Sequence, residues 1–182
     1  MRLSLSKIAF LVISSCVLGV STSSAGDKSA AGDETLAKNL RTCDTLNLVV
    51  FTNQKWDRLH EFYSKDIKVN WPDGHHTVGI EKRIEYLKAI FVYAPDTRIK
   101  RHSIRFGNST GEWTAVTGVM EGTFSKPMPI GKGKFMKPTG KTFKLAMCAI
   151  AHWKDGLIIE ESLFWDNLTF MKQMGLGQKL KK

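Results

Sequence analysis

Up to Pro95 apolar and polar positions mostly follow a helical period, broken by one short alternating stretch, and after it they alternate. From Glu34 to about Thr52, the residues Leu36, Leu40, Cys43, Leu46 or Leu48, and Val50 recur three or four apart, which predicts a helix with one buried face. Trp56, Leu59 and Phe62 or Tyr63 repeat that spacing between Gln54 and Tyr63 and predict a second, short helix. Ile67 to Trp71 alternates, Pro72-Asp73-Gly74 turns, and His75 to Val78 reads as the return strand. Ile80, Ile84, Leu87 and Phe91 fill a third helix that Pro95 ends.

After Pro95 the period becomes two. Arg98 to Phe106 alternates basic and apolar residues, Gly107 to Gly111 turns, and Trp113 to Phe124 predicts a long strand. Prolines and glycines from Pro127 to Gly140 interrupt regular structure. Phe143 to Trp153 and Leu157 to Trp165 flank Asp155-Gly156, the strongest hairpin signal in the chain. A short amphipathic segment, Asn167 to Gly175, follows. Helices first and an antiparallel meander afterwards predict an α+β domain, with helices on one face of a curved sheet.

The final hairpin orders the candidate site. A two-residue turn pairs Trp153 with Ile158, Ala151 with Glu160, Ala149 with Ser162, Met147 with Phe164 and Leu145 with Asp166, so that Ile158, Glu160, Ser162, Phe164 and Asp166 share a face. Small residues between larger ones predict a concavity beneath the helices, where ligands bind. Asp166 is an acid at the end of an otherwise apolar run and has two readings. It is either a general acid/base whose raised pKa suits proton transfer beside a carbonyl, or the N-cap of a helix over Leu168 to Met174. His152 faces Ile159 on the other surface, about 23 Å along the strand from Asp166, so the two form no dyad without a bulge. Glu160, about 20 Å from Asp166, reads as a rim charge.

Trp71, Phe91, Met120, Phe124, Met147 and Phe164 are candidates for an apolar lining, although any core needs such residues. His75 and His76 follow a turn, and alternation lets one point into the pocket. His76 is the candidate to orient a carbonyl beside Asp166, and His75 a candidate pocket residue. A metal site is not expected, because no third ligand accompanies them. His60 and His102, in basic and polar surroundings, are expected at the surface. No Ser or Cys nucleophile motif, phosphate-binding loop or dinucleotide fingerprint is present.

The chain ends alter this picture. Arg2 and Lys7, the apolar run Ile8 to Val20, and Ser23-Ser24-Ala25 have the anatomy of a signal peptide cleaved after Ala25, which predicts export; a lipid anchor on Cys16 is the alternative. The run is short of the roughly 20 residues of a membrane span, and no later segment qualifies. The expected layout is a signal peptide over 1–25, a flexible lead-in over 26–33, one domain over 34–177 and a solvated basic tail over 178–182. The 182-residue chain carries 27 Lys and Arg against 17 Asp and Glu. That excess favours acidic ligands or anionic surfaces, while the scatter of the basic residues and the lack of a binding module argue against nucleic acid. Cys43 and Cys148 are compatible with a disulfide or with two buried thiols. Asn108-Ser109-Thr110 and Asn167-Leu168-Thr169 match the glycosylation acceptor pattern.

Gly79-Ile80-Glu81, Ala94-Pro95-Asp96, Glu121-Gly122-Thr123-Phe124, Pro138-Thr139-Gly140-Lys141, Asp155-Gly156-Leu157-Ile158-Ile159-Glu160, and Asp166 followed by Gln173-Met174-Gly175 stand in an order that resembles the SnoaL-like polyketide cyclase (ester cyclase) branch of the NTF2-like superfamily. The resemblance covers about Thr35 to Gly177. It implies a cone-shaped α+β barrel enclosing a small-molecule pocket, commonly a homodimer and usually without metal or organic cofactor. It also implies an acid/base role for Asp166 in an aldol-type ring closure, supported by the seven-residue spacing to Gln173. Ser162 departs from the pattern, since the family often has Trp four residues before the acid. Taken together, the chain reads as an exported domain that binds a small apolar carbonyl-bearing molecule, with acid/base isomerisation, cyclisation or hydration as its possible chemistry; the alternative is a binding or dimeric interaction module without chemistry.

Overall fold

A computed structural model describes residues 25–177; the expected signal peptide before Ala25 and the basic tail lie outside the described residues. The chain opens with helix α1, Ala25–Asp44. The stretch 26–33, expected as a flexible lead-in, is therefore helical. Further along α1 the buried Asn39 donates from Nδ2 to the Gly111 carbonyl at 2.9 Å, docking the helix on the strand connection. The helical pattern expected to continue to Thr52 widens into a π segment, Thr45–Phe51. The extra residue per turn lets Leu46, Val50 and Phe51 all reach the core. A 3-10 turn, Trp56–Glu61, follows and buries Leu59.

Strands β1 (Tyr63–Asn70), β2 (His76–Val78), β3 (Arg98–Gly107), β4 (Trp113–Thr123), β7 (Thr142–Lys154) and β8 (Leu157–Trp165) form one sheet in the order β2-β1-β8-β7-β4-β3. Helix α2, Ile80–Tyr93, lies between β2 and β3, and α3, Asn167–Gln173, follows β8. All neighbours are antiparallel except β1 and β8; the parallel pair is what closes the first strand onto the last. The segment expected to be irregular contains a small hairpin, β5 (Met128–Pro129) paired with β6 (Phe135–Met136). No helix among the described residues is long and apolar enough to cross a membrane.

Two contiguous clusters make the core. One gathers Leu46, Val50, Leu59, Ile67, Ile158 and Leu163; the other gathers Phe51, Phe91, Phe124, Phe143, Leu145 and Met174. Gly122 permits the second, because a Cβ there would stand 2.8 Å from the Phe143 ring and 2.9 Å from the Thr97 hydroxyl. Cys43 packs inside with its Sγ 3.7 Å from the Thr114 hydroxyl, and burial pushes its thiol up to about 12. Cys148 lies opposite Thr117 and Phe164, and both thiols are free, which resolves the disulfide alternative.

The hairpin at Asp155-Gly156 forms as expected, with φ of 52° and 80°, the doubly left-handed turn that suits the strand twist. Its register departs from expectation after two pairs, Lys154 with Leu157 and Trp153 with Ile158. Trp153 faces Ile158, but His152 faces Glu160, Ala151 faces Glu161, Ala149 faces Leu163 and Met147 faces Trp165, because the ladder shifts between His152 and Trp153. Ile159 is the extra residue of a bulge, and a one-residue slip exchanges the two faces of everything beyond it. Glu161, Leu163 and Trp165 turn inward under the helices, whereas Glu160, Ser162 and Phe164 join Cys148, Ile150 and His152 on the outer face.

Candidate functional site

Between α2, the π segment and the inner face of the sheet lies a cavity of about 190 Å³. Its wall is mostly apolar, with Phe51, Trp71, Ile90, Met120, Met147 and Leu163 among its residues, and its polar groups are few: Asn47, Arg83, Tyr86, Tyr93 and Glu161. Predominantly apolar walls with a few convergent polar groups are the usual character of small-molecule sites.

The charged groups come from α2 and β8. Ile80, Ile84 and Phe91 are the buried residues of α2, and Arg83, three residues after Ile80, shares their face and is 4% exposed. Glu161, turned inward by the bulge, is also 4% exposed. The Arg83 Nη2 donates to Glu161 Oε2 and, at 3.3 Å, to the Tyr63 hydroxyl, which in turn lies 3.4 Å from Glu161 Oε2. The guanidinium carbon sits 5.4 Å from both the Tyr63 and Trp71 ring centroids, within cation–π range. Two of its other nitrogens, Nε and Nη1, are buried with no hydrogen-bond partner among the described residues, an arrangement that costs free energy unless something supplies an acceptor.

Burial raises the Glu161 carboxyl above its ordinary value, with Arg83 and Tyr63 pulling against that rise. Burial weighs against the Arg83 charge as well, but Glu161 and Tyr63 outweigh it, so the guanidinium stays protonated. We take the raised carboxyl as the direction that governs its chemistry, because one ion contact seldom repays the loss of water around a carboxylate. The Tyr63 hydroxyl is pushed up by burial and stays a donor; Tyr93 rises to about 12 for the same reason.

A second polar chain reaches the cavity from α1. Asp44 Oδ1 lies 2.8 Å from His102 Nδ1, and His102 Nε2 lies 3.1 Å from Asn47 Nδ2. Asp44 also pairs with Arg105. The carboxylate favours a proton on Nδ1, which leaves Nε2 to accept from the Asn47 amide and fixes the orientation of that side chain at the wall. His102, expected at the surface, has a side chain only 3% exposed.

The residues singled out in the sequence divide. Trp71, Met120 and Met147 line the cavity. Phe91 and Phe124 are packed in the core, Phe91 edge-on to Phe51 and Trp56 at 5.2 and 5.3 Å. Phe164 is 52% exposed on the outer face. His76 is exposed on β2. His75 is exposed too, stacked beside Trp71 with its Nδ1 2.5 Å from Asp73 Oδ1.

Asp166 is exposed and does not border the cavity. It caps α3, accepting from the backbone N–H of Leu168 at 2.9 Å and of Thr169 at 3.2 Å, and from the Thr169 hydroxyl at 2.5 Å. These bonds, that of the Thr169 hydroxyl foremost, hold its carboxyl below the ordinary value. Gln173, seven residues on, bonds both ways with the Lys144 backbone at 2.7 and 3.1 Å, so the Asp-to-Gln spacing fixes α3 against β7.

Arg83 and Glu161 are not among the candidates that the sequence singles out, although both carry a signal there. Arg83 stands on an apolar helical stripe. Of the two alternate sets in β8, Ile159, Glu161, Leu163 and Trp165 is more apolar than Glu160, Ser162, Phe164 and Asp166.

The family model described as SnoaL-like polyketide cyclase matches residues 41–174. Among solved structures, a candidate SnoaL-like polyketide cyclase from Jannaschia sp. CCS1 superposes with a TM-score of 0.67 at 18% identity, covering 79% of this chain and 96% of that one. A candidate polyketide cyclase from Xanthomonas campestris pv. campestris gives 0.66 at 15% identity, over 77% and 98%. Another, from Streptomyces antibioticus, gives 0.62 at 22% identity, over 75% and 98%. At these identities the likeness establishes the fold alone. No curated protein matches the sequence.

Neighbouring glutamates on opposite faces predict opposite outcomes. Glu161→Ala leaves the Arg83 charge buried without its partner and should cost about 3–5 kcal/mol in urea unfolding. Glu160→Ala, which gives up half-exposed contacts with Lys68 and Asn70, should cost within about 1 kcal/mol. Equal costs would contradict the bulged register.

Proposed function

The chain belongs to the SnoaL-like polyketide cyclase family, and from that premise we propose that its cavity binds a small, largely apolar, carbonyl-bearing molecule on which Glu161 performs acid/base chemistry. The observation that carries this reading is the buried Arg83, with two donors lacking acceptors, set against Glu161 at the cavity wall. A carbonyl or enolate oxygen supplies the missing acceptor. Glu161 in its ionised form takes a proton from the carbon next to that carbonyl, and the charge that develops on oxygen is stabilised by Arg83 in a site with little water. Return of the proton to another carbon gives isomerisation. Attack of the same carbon on a second carbonyl of the molecule forms a carbon–carbon bond, and the new alkoxide takes the proton held by Glu161. Neither route needs an oxidant or cofactor. Asp166, first in line in the sequence, serves here as the cap of α3.

Export and self-association complete the reading. The basic start, the apolar run and Ser23-Ser24-Ala25 support a signal peptide cleaved near Ala25. The outer sheet face carries Ile104, Phe106, Val119 and Phe164, all exposed, with Phe164 in register with Cys148 and Thr117 across three strands. So large an apolar surface is ordinarily covered, and a second copy of the chain covers it in a homodimer.

Deuterium uptake by 2-tetralone next to its carbonyl, followed by NMR in D2O, tests the chemistry. The protein should accelerate uptake, Glu161→Gln should lower the acceleration by about 10²–10⁴-fold, and Asp166→Asn should leave it within about twofold, the baseline being the same reaction without protein. The rate should rise with pH along an acid limb above 4.5, the ordinary Glu value, since the base must be ionised and its carboxyl is raised. Loss of uptake in Asp166→Asn with Glu161→Gln unaffected would return the role to Asp166; no uptake with any variant would leave a binding module. For the dimer, sedimentation equilibrium should give twice the chain mass, and Val119→Glu with Phe164→Glu should give the monomer. A monomeric parent protein would refute the interface.

A further inference from the structure

The β5–β6 hairpin projects from the core with an unusual surface. Met128 and Met136, a facing pair, pack against the second core cluster. The base is tied by Phe124 N–H to the Lys141 carbonyl at 2.9 Å, Gly140 N–H to the Phe124 carbonyl at 3.0 Å, and the N–H groups of Ser125 and Lys126 to the Tyr93 carbonyl at 3.1 and 3.0 Å. A hairpin held this firmly would be expected to spend its apolar residues inward. Instead Phe135 is 62% exposed and Ile130 is 52% exposed. The turn between them is closed by Ile130 N–H to the Lys134 carbonyl and Lys134 N–H to the Gly131 carbonyl, both 3.0 Å. Gly131, Lys132 and Gly133 all take left-handed φ, at 85°, 50° and 68°, which two glycines make affordable.

Charge surrounds this apolar tip. Lys126, Lys132, Lys134 and Lys137 are all exposed, and none forms an ion pair among the described residues. The sequence has no Asp or Glu between Glu121 and Asp155, so nothing along this segment offsets the lysines. Exposed Phe and Ile flanked along the hairpin by unpaired lysines match the two layers of an anionic bilayer surface, with hydrocarbon below the headgroups and negative charge at them. A nucleic acid or other soluble polyanion would engage the lysines and leave Phe135 and Ile130 in water.

We propose that the β5–β6 hairpin docks the protein on anionic membranes, with Phe135 and Ile130 entering the headgroup boundary and Lys126, Lys132, Lys134 and Lys137 contacting lipid phosphates. The hairpin is distinct from the residues that line the cavity, so docking neither requires nor blocks the chemistry assigned there.

Sedimentation with phosphatidylcholine vesicles, pure or mixed with phosphatidylglycerol, tests this on the full mature chain. Binding should require phosphatidylglycerol and weaken with salt. Each of Lys132→Gln and Lys134→Gln should lower the partition coefficient about fivefold. Ile130→Ser with Phe135→Ser should lower it at least about tenfold, with the circular dichroism spectrum unchanged, while removal of 178–182 should leave it within about fivefold, less than the effect of one lysine at the surface. Three results would overturn the proposal: no binding to mixed vesicles, binding that depends on the lysines but not on Ile130 and Phe135, which marks a polyanion surface, or binding lost only with the basic tail.

Discussion

The inward turn of Glu161 onto Arg83 is the constraint around which the rest of this structure is arranged. The two charges arrive from elements far apart in sequence, one from the apolar stripe of α2 and the other from β8, and they meet buried in a wall made largely of aromatic and aliphatic side chains. Such a pair is weak evidence for stability, since well-packed hydrophobic residues of similar volume commonly do as well or better. Its place at the cavity wall is what motivates the acid/base role proposed for it. Arg83 is held between two aromatic rings by Tyr63 and Trp71 and keeps donors unpaired, and Glu161 keeps a carboxyl that burial makes harder to ionise. Both groups border the same small cavity.

The fold was legible because it rests on periodicity and turn chemistry. The change of period at Pro95, the Asp155-Gly156 turn and the helical spacing of Ile80, Ile84 and Phe91 each had a local cause, and each element formed where its cause lay. What failed was finer. A bulge at Ile159 has no strong sequence mark, yet it transfers every later residue of β8 to the other face. Asp166, Phe164 and Ser162 were thereby moved out of the pocket and Glu161, Leu163 and Trp165 into it. The π segment was hidden for a similar reason: seven residues of wider helix satisfy nearly the same apolar spacing as a regular one, but they set Asn47 at the cavity wall. His102 was misjudged because its neighbours in sequence are basic and exposed, while its own side chain turns in toward Asp44 and Asn47. In each case the residue type was visible and its direction depended on a backbone irregularity or a distant partner.

Three surfaces divide the work of a small domain. The inner face of the sheet, roofed by α2 and the π segment, encloses the cavity. The outer face exposes Ile104, Phe106, Val119 and Phe164. The β5–β6 hairpin, tied by its methionines to the core, stands apart from both. Asp166 borders an open concavity of the outer side with Val119, Cys148 and Phe164, and its conspicuous place at the end of β8 suits the start of α3, where its side chain accepts two backbone N–H bonds.

Which acid faces the cavity is tested most directly by a carboxyl-carbon NMR titration of the side chains of Glu161 and Asp166 in the folded protein. Glu161 should titrate above 4.5, its ordinary value, and Asp166 below 3.8. A Glu161 that titrates at or below 4.5 together with an Asp166 raised above 3.8 would contradict it.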